Sequence, residues 1–388
     1  HSVTQNLPVL GVQALSKTNI QSVFNLAVGP PAFTNFFGLN AAPNRGGVPN
    51  TSLPSSGTFF LPDGVFARAL TDKQRLPQVD AYNITLQHQL TSKMSVEVAY
   101  VGNKGTHAFI GNGPAANVNQ PTLVGITSGL NNNQRKPFFG KFGWTQGIDY
   151  FCNCADTRYD GLQMKVTQRL SGGLTLLAHF TIQRALDNSG DYFFIDRSLN
   201  RGPNDFDRSK VFVFSETYEL PFGRNKRFFG GASKLANLFI GGFQISSNTT
   251  IQSGVPFNIG ISTPNDTGPN RPNVTGDVTF GNARDSSGQV VYITNSPFTS
   301  PVLGQFGNLK RNALRGPGFW QTDASLIKRF NITETKNLEF RMEVQNLFNT
   351  VNLGQPESFV GSGNYGKIGN TNGNAVQRNM QFAFRFAF

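Results

Sequence analysis

The chain contains 388 residues, of which only 14% are charged, together with 42 glycines and 36 phenylalanines. This composition is rare in soluble enzymes and typical of a protein with an apolar outer surface, a wet interior and many long turns. No stretch approaches the roughly 18 uninterrupted apolar residues of a membrane-spanning helix, which argues against a helical membrane protein. The net charge of +12 comes from scattered Lys and Arg, so nucleic acid is not an expected partner.

Strict alternation of apolar and polar residues is the strongest pattern along the chain. Successive side chains of a β-strand point to opposite faces, so alternation gives each strand one apolar and one polar face. The pattern is weakest at 243–258, where Ser247 and Thr249 share a face with apolar residues. About nine strands are predicted, at residues 78–90, 94–102, 159–170, 174–187, 209–220, 243–258, 321–330, 337–348 and 378–388.

The two C-terminal segments show the alternation most clearly. Every second residue from 382 to 388 is Phe, whereas Arg385 lies on the opposite face. The segment at 337–348 sets its apolar residues against Glu339, Arg341 and Glu343 in the same way. So much charge on one face is not expected in a soluble β-sandwich, where that face would be buried. The pattern favours a strand with lipid on one side and water on the other.

The connections between the predicted strands alternate in length. Short links at 91–93, 171–173 and 331–336 alternate with long links rich in Gly, Asn and Pro. Outer-membrane barrels have this asymmetry, with short periplasmic turns and long external loops. The connection at 221–242 is longer than a tight turn, although its place in the series makes it periplasmic. The long links occupy residues 103–158, 188–208, 259–320 and 349–377.

These observations predict an antiparallel transmembrane β-barrel in the outer membrane of a Gram-negative cell. Strands in hydrocarbon must close on themselves, because each unpaired backbone group costs several kcal/mol there. Bacterial barrels have even strand numbers, and about nine strands is odd. We therefore expect this chain to supply the C-terminal strands of a larger barrel. Residues 1–77 would form an extracellular loop region with a possible strand fragment, and residues 78–388 the barrel strands.

Several long blocks, in the same order, resemble the TonB-dependent outer-membrane receptors, in particular the branch that carries a carboxypeptidase-regulatory-like domain. The blocks are "YNITLQHQL" (82–90), "VEVAYVGNKGTH" (96–107), "NDFDRSKVFVFSETYELPFG" (204–223), "GGFQISSNTTIQSGVPFNI" (241–259), and "RNALRGPGFWQTDASLIKRF" with "LEFRMEVQNLFNTVN" (311–352). The resemblance implies a barrel of about 22 strands around a plugged lumen. It also implies contact with outer-membrane lipid, with the barrel-assembly machinery, and with the TonB complex through a plug and N-terminal segment that we do not find in this sequence.

Two groups of residues are candidates for functional roles. Glu339, Arg341, Glu343 and Arg385 would face the lumen, where they could contact cargo or plug, although a charge network that satisfies itself and water is the better expectation. Phe388 ends the chain on the aromatic face of the last strand. The resemblance implies that the assembly machinery reads this terminal aromatic strand, whereas the simpler alternative is that Phe388 only buries apolar area.

Neither a cofactor nor a metal ion is expected. Cys152 and Cys154 lack two further ligands at a spacing suitable for zinc. They would form a disulfide with a small, strained ring or pair with a cysteine outside this sequence. The segment "DNSGD" (187–191) with Asp196 lacks the glycine position and closing Glu of a calcium loop, so a solvated acidic loop is expected.

Transport is the favoured function: TonB-energised uptake of an unidentified large solute through the barrel. The alternative is a barrel that does not transport, and whose external loops bind a surface or a partner in adhesion. An enzyme ranks third, because no Ser, His and carboxylate set converges in the sequence. The sequence does not identify the solute, since external loops determine that choice.

Overall fold

Nine long strands form one antiparallel sheet in which each strand pairs with the next along the chain. The computed structural model describes residues 63, 67–70, 75–110, 116–189, 193–333 and 336–388. All nine strands lie where the alternation predicts them. Their bounds are β1 Gln78–Thr91, β2 Met94–Ala108, β3 Ala155–Ser171, β4 Leu174–Asp187, β5 Lys210–Glu219, β6 Phe243–Gln252, β7 Phe319–Asn331, β8 Asn337–Gln345 and β9 Asn379–Ala387.

The ladder between β2 and β3 continues beyond the predicted strand ends. Lys104 pairs with Arg158 and Gly105 with Thr157, so a segment whose glycine and asparagine are typical of a turn remains extended. Backbone hydrogen bonds to the neighbouring strand hold these residues in the sheet. A local sequence pattern does not reveal such bonds, because the partner strand is distant in the sequence. The two strands therefore extend further on the side of the long connections, which we call the long-connection side.

The opposite, short-connection side contains the tight turns. Gly172 and Gly173 join β3 to β4 with φ values of 59° and 87°. Two consecutive residues with positive φ match the right-handed twist of paired strands, and glycine adopts this conformation without steric cost. The short link predicted at 171–173 is therefore confirmed. The connection between β5 and β6 is the exception on this side, because it contains helix α2 (Lys234–Ile240).

The strand register gathers the apolar residues on one face of the sheet. Phe340 of β8 lies opposite Phe384 of β9, with 5.0 Å between ring centroids. These side chains are not covered by protein, since Phe384 is 73% exposed and Ile84 of β1 is 76% exposed. A face this apolar and this exposed is suited to hydrocarbon rather than to water.

Polar residues interrupt the apolar face in its middle strands. Ser247 of β6 donates a hydrogen bond to Glu216 of β5, and the hydroxyls of Thr249 and Thr322 lie 2.9 Å apart. Because these groups hydrogen-bond to each other, their cost in an apolar setting is reduced. This explains why the alternation is weak at 243–258.

The larger of two clusters of buried hydrophobic residues lies in the long connections. Its buried residues are Phe257, Ile259, Ile293, Phe298 and Leu309, all from the connection between β6 and β7. Short two-residue ladders join that connection to the one between β8 and β9. They pair Gly260–Ile261 with Phe359–Val360, and Val290–Val291 with Lys367–Ile368. The long connections therefore form one packed layer at the long-connection side.

The remaining elements are short. Within the described residues, no helix is long and apolar enough to cross a membrane. Helix α1 spans Phe139–Phe142, and a 3₁₀-helix spans Arg197–Asn200. The other short strands are Ala67–Leu70, Ala116–Asn117, Ile148–Phe151, Gly202–Pro203, Pro256–Phe257, Asn273–Val274, Phe298–Thr299 and Leu314–Arg315.

Most of the region 1–77 lies outside the described residues. Its Ala67–Leu70 strand pairs in parallel with Ile148–Phe151 of the connection between β2 and β3. The predicted position of 1–77 outside the cell stays a prediction. At the edges of the sheet, β1 pairs only with β2 and β9 only with β8 among the described residues.

The facing of the strands is tested by placing charge on each face. Phe340→Arg should destabilise the protein folded in lipid by about 2–4 kcal/mol if position 340 lies near the bilayer midplane, whereas Glu339→Lys should destabilise it far less. Folding titrations of the intact protein into lipid vesicles measure both values. Equal losses for these adjacent positions would refute the assignment of the faces.

Candidate functional site

A ladder of ion pairs crosses the polar face of β7 and β8. Arg329 donates to Glu339 at 2.9 Å, and Arg341 reaches Glu339 at 3.0 Å and Glu343 at 3.3 Å. The structure thus brings together three of the four predicted residues and adds Arg329. The alternation of β7 places Arg329 on this face, so the sequence contained the signal. Arg385 lies opposite Glu339 in the register but forms no ion pair with a described residue.

Phe388 follows the last residue of β9. Its ring lies 5.8 Å from that of Phe386, and the residue is 91% exposed. The side chain therefore continues the exposed aromatic row of β9 rather than packing into the protein. This position fits either of the two predicted roles, recognition in assembly or burial in lipid.

Arg311, in the connection between β6 and β7, is an almost fully buried charged residue. Its guanidinium donates to Asp187 at 2.8 Å and to Asp205 at 2.9 Å, and the side chains of Arg311 and Asp187 are 1% and 2% exposed. Asn204 and Asn312 add hydrogen bonds to the same two carboxylates. The buried charges are thus paired and hydrogen-bonded, as burial requires.

A second ion pair lies four residues further along the same connection. Arg315 binds the buried carboxylate of Asp207, which also accepts a hydrogen bond from the backbone N–H of Ala185 at 2.7 Å. The backbones approach closely here, since a Cβ added at Gly202 would lie 2.9 Å from Cβ of Arg311. Arg311 and Arg315 therefore fasten the connection between β6 and β7 to the ends of β4 and β5.

The expectation of a solvated acidic loop at 187–191 is wrong for Asp187. This residue is buried, because its partner Arg311 arrives from 124 residues away along the chain. Only Asp187, Asn188 and Ser189 of that segment are described. Within the described residues, no group of three His, Cys, Asp or Glu side chains is arranged to hold a metal ion.

An aromatic cleft of about 650 Å³ opens between the β2–β3 and β4–β5 connections. The ring of Phe142 stacks on Trp144 at 4.6 Å, and Tyr150 contacts the edge of Phe194 at 5.4 Å. Phe138 lines the same cleft beside Trp144. Aromatic walls with few polar groups are suited to the apolar part of a ligand.

A second, polar cavity of about 400 Å³ shares Tyr150 and Phe194 with the aromatic cleft. Arg75, His107 and Arg197 line it. The Nε and one terminal nitrogen of Arg197 are buried and have no hydrogen-bond partner among the described residues. Arg75 and Arg197 bring positive charge to the wall of this cavity, which suits an anionic group.

A disulfide between Cys152 and Cys154 forms part of the wall of the polar cavity. Of the two alternatives left open by the sequence, the structure therefore shows the local pair. The bond ties down the end of the Ile148–Phe151 strand, just before β3 begins. Asn153, between the cysteines, donates to the backbone carbonyl of Arg75 at 2.5 Å.

A further ion pair joins two of the long connections. The buried guanidinium of Arg135 binds Asp266, which also accepts a hydrogen bond from Asn132 at 3.1 Å. Although partial burial opposes ionisation of the carboxyl group, the hydrogen bonds from Arg135 and Asn132 hold the pKa of Asp266 below its ordinary value. The carboxylate therefore remains charged at neutral pH, and the contact between the two connections persists.

Comparison with known proteins places this arrangement in a family. The family model described as "Outer membrane beta barrel domain" matches residues 3–381. The chain belongs to this family. It is therefore an antiparallel transmembrane β-barrel protein of the cell outer membrane, and the exposed apolar face of its sheet is the surface in contact with lipid. No curated protein matches the chain.

Solved structures of outer-membrane proteins are similar at low identity. The ferripyoverdine receptor of Pseudomonas aeruginosa is 12% identical, with 85% of this chain and 30% of that chain covered and a TM-score of 0.39. The transporter YddB from Escherichia coli is 8% identical, with 84% of this chain and 34% of that chain covered and a TM-score of 0.42. The FrpB iron transporter from Neisseria meningitidis is 11% identical, with 83% of this chain and 33% of that chain covered and a TM-score of 0.39. The chain spans about a third of the length of these structures.

The buried Arg311 pairs should determine how firmly the outer membrane barrel holds its long connections. Arg311→Met leaves Asp187 charged, buried and unpaired, so the free energy of local opening should fall by about 3–5 kcal/mol. Hydrogen exchange of the backbone amides between 253 and 318 measures this loss. Lys310→Met, at an exposed neighbouring position, is the matched control and should leave the exchange nearly unchanged.

Adding Asp187→Leu to Arg311→Met removes the unpaired charge. We expect this double variant to recover part of the protection, because an apolar replacement of a buried pair costs less than half a pair. Exchange rates in Arg311→Met equal to those in the Lys310→Met control would contradict the role given to the network.

Proposed function

We propose that this outer membrane barrel is a TonB-dependent receptor that takes up a large solute from outside the cell. The observation that carries the proposal is the pair of adjoining cavities at the long-connection side, placed at the end of a sheet with a polar, charged face. In this proposal, solute binds first among the long connections and then passes along the polar face, which lines the lumen.

The sequence resemblance supports the same branch of receptors that carry a carboxypeptidase-regulatory-like domain. Two of the resembling blocks, 204–223 and 311–330, contain Asp205, Asp207, Arg311 and Arg315, which form the buried pairs. The resemblance therefore extends to residues that organise the long connections. In this proposal the TonB complex acts through a plug region of the whole protein, and the long connections, with 1–77, lie outside the cell.

The charged ladder has a role in this proposal that does not depend on stability. Arg341 and Glu343 are 40% and 46% exposed, so their ion pair contributes roughly 0–1 kcal/mol. What it provides instead is a hydrated, charge-balanced wall. We propose that Glu339, Arg341, Glu343 and Arg385 line the lumen, where a wall already paired with itself would not trap a passing solute.

The two cavities indicate the chemistry of the solute. The aromatic cleft is suited to a flat apolar group, and the guanidinium of Arg197 in the polar cavity is suited to an anionic group. Since the cavities share Tyr150 and Phe194, both groups would belong to one molecule. We therefore propose a solute in which an apolar ring system lies next to a carboxylate or another anion.

Transport is tested by comparing the small molecules that remain in the medium of three strains. The parent strain should deplete a solute that both a strain without this gene and a strain without TonB leave behind. Trp144→Ala and Arg197→Ala should each reduce that depletion at least several-fold, because each removes a proposed contact. Mass spectrometry of the spent medium measures the effect.

A solute that still binds to the TonB-deficient cells at the parental level, and is never depleted, would contradict transport. It would favour the alternative of a surface-binding barrel. Phe206→Ala, at an exposed residue outside both cavities, is the control and should deplete the solute normally.

We further propose that Phe388 is part of an assembly signal. If the assembly machinery reads the terminal aromatic strand, Phe388→Ser should lower the amount of barrel in the outer membrane and raise its periplasmic degradation. Protein that does assemble should melt almost normally. If Phe388 only buries area, the variant should instead assemble at parental levels and lose roughly 1.5–3 kcal/mol of stability. Immunoblots of membrane fractions and melting curves separate these outcomes.

A further inference from the structure

The connection between β5 and β6, residues 221–242, exposes an unusual amount of apolar surface. It lies on the short-connection side, where a tight turn would suffice. Asn237 of α2 accepts a hydrogen bond from the backbone of Arg224 at 2.6 Å, and Ser233 caps the helix, so the segment is folded. Its exposed apolar residues are Phe222 (37%), Phe228 (46%), Phe229 (66%), Leu235 (75%) and Phe239 (70%).

A buried lysine fixes this segment against the lipid-facing surface of the sheet. Lys328 lies on the apolar face of β7, opposite Phe243 of β6 and Phe340 of β8. Its Nζ donates to the carbonyls of Phe239, at 3.2 Å, and Gly241. The same group lies 4.3 Å from the ring centroid of Phe243. The C-terminal end of α2 is therefore attached to the face that contacts lipid.

The helix presents its apolar side away from these attachments. Leu235 and Phe239 are four residues apart, which places them on one side of the helix. Asn237, which bonds to the backbone at Arg224, points to another side. The exposed pair thus continues the apolar face of the sheet beyond the ends of β5 and β6.

The segment is also strongly basic. Residues 221–242 contain Arg224, Lys226, Arg227 and Lys234 but no Asp or Glu. Lys226 pairs with Glu219 at 3.2 Å, and the other three form no ion pair with a described residue. Exposed aromatic and apolar side chains flanked by unpaired cations are the combination that binds the interface of an anionic bilayer.

We propose that residues 221–240 form an interfacial anchor that inserts Leu235 and Phe239 into the phospholipid leaflet at the short-connection side and binds its anionic headgroups. The inference rests on the barrel's location in the outer membrane and not on transport. Its ligand is the anionic phospholipid headgroup, recognised by Arg224, Arg227 and Lys234. Lys328 serves as the attachment point that holds the anchor to the barrel wall.

The depth of residue 239 in the membrane tests this directly. A nitroxide on Phe239→Cys of the intact protein, reconstituted in vesicles, should be reached by oxygen and shielded from a water-soluble nickel complex. The same label on Phe384→Cys, in the lipid-facing row of β9, is the reference for lipid. A label on Val302→Cys, 61% exposed in a long connection, is the reference for water.

Headgroup binding is tested by comparing vesicles of phosphatidylcholine alone with vesicles that also contain phosphatidylglycerol. When phosphatidylglycerol is present, the ratio of membrane-inserted to water-exposed nitroxide at position 239 should rise by up to about five-fold for each cation near the surface. Changing Arg224, Arg227 and Lys234 to Gln should abolish the rise. The same change at three exposed cations of the long connections, Arg201, Lys310 and Arg378, should preserve it.

Two results would overturn the proposal. Nickel accessibility at position 239 equal to that at position 302 would show that the segment lies in water. Spin–spin broadening that grows with protein density and is the same in both kinds of vesicle would show that a second copy of the chain, not lipid, covers the surface.

Discussion

The structure depends on one constraint: in hydrocarbon, a backbone N–H or C=O without a partner costs several kcal/mol. Each long strand therefore pairs along its length with the strand that follows it, from β1 to β9. Once the ladder is fixed, the side chains can only alternate between two faces. Phe340 and Phe384 then meet lipid, while Glu339 and Arg341 meet water on the other face.

Charge has two different roles in this molecule, and magnitudes separate them. The ion pairs around Arg341 are partly exposed, so each adds roughly 0–1 kcal/mol, and their main effect is to make that face of the sheet polar. Arg311 and Asp187 are almost fully buried, and breaking that pair costs about 3–5 kcal/mol. The buried pair therefore fastens the connection between β6 and β7 to the end of β4.

The strands were predictable because their alternation follows from the nearest neighbours in the sequence. All nine lie close to their expected bounds, although β2 and β3 extend further and β6 and β8 end earlier, at Gln252 and Gln345. The buried pair was not predictable, since Asp187 and Arg311 are 124 residues apart and each alone has the sequence signature of a solvated charge.

Lys328 shows the same limit on the apolar face. Alternation places the charged side chain of Lys328 on the face that contacts lipid, where an unpaired charge would be costly. The structure resolves this conflict, because carbonyls at the C-terminal end of α2 accept hydrogen bonds from Lys328. The aromatic cleft likewise combines residues of two connections, and no periodic pattern links Trp144 to Phe194. What the sequence encodes locally is the sheet, whereas the site depends on contacts between distant loops.

The most direct measurement of the two-faced sheet is the reactivity of single cysteines placed in turn along β8, from Leu338 to Glu343, in membranes that contain the intact protein. A charged, water-soluble maleimide should react at the odd positions and leave the even positions unmodified, because a thiol in hydrocarbon stays protonated and unreactive. Cys152 and Cys154 are joined in a disulfide and should not contribute. Reactivity that does not alternate, or that alternates with the opposite phase, would contradict the account.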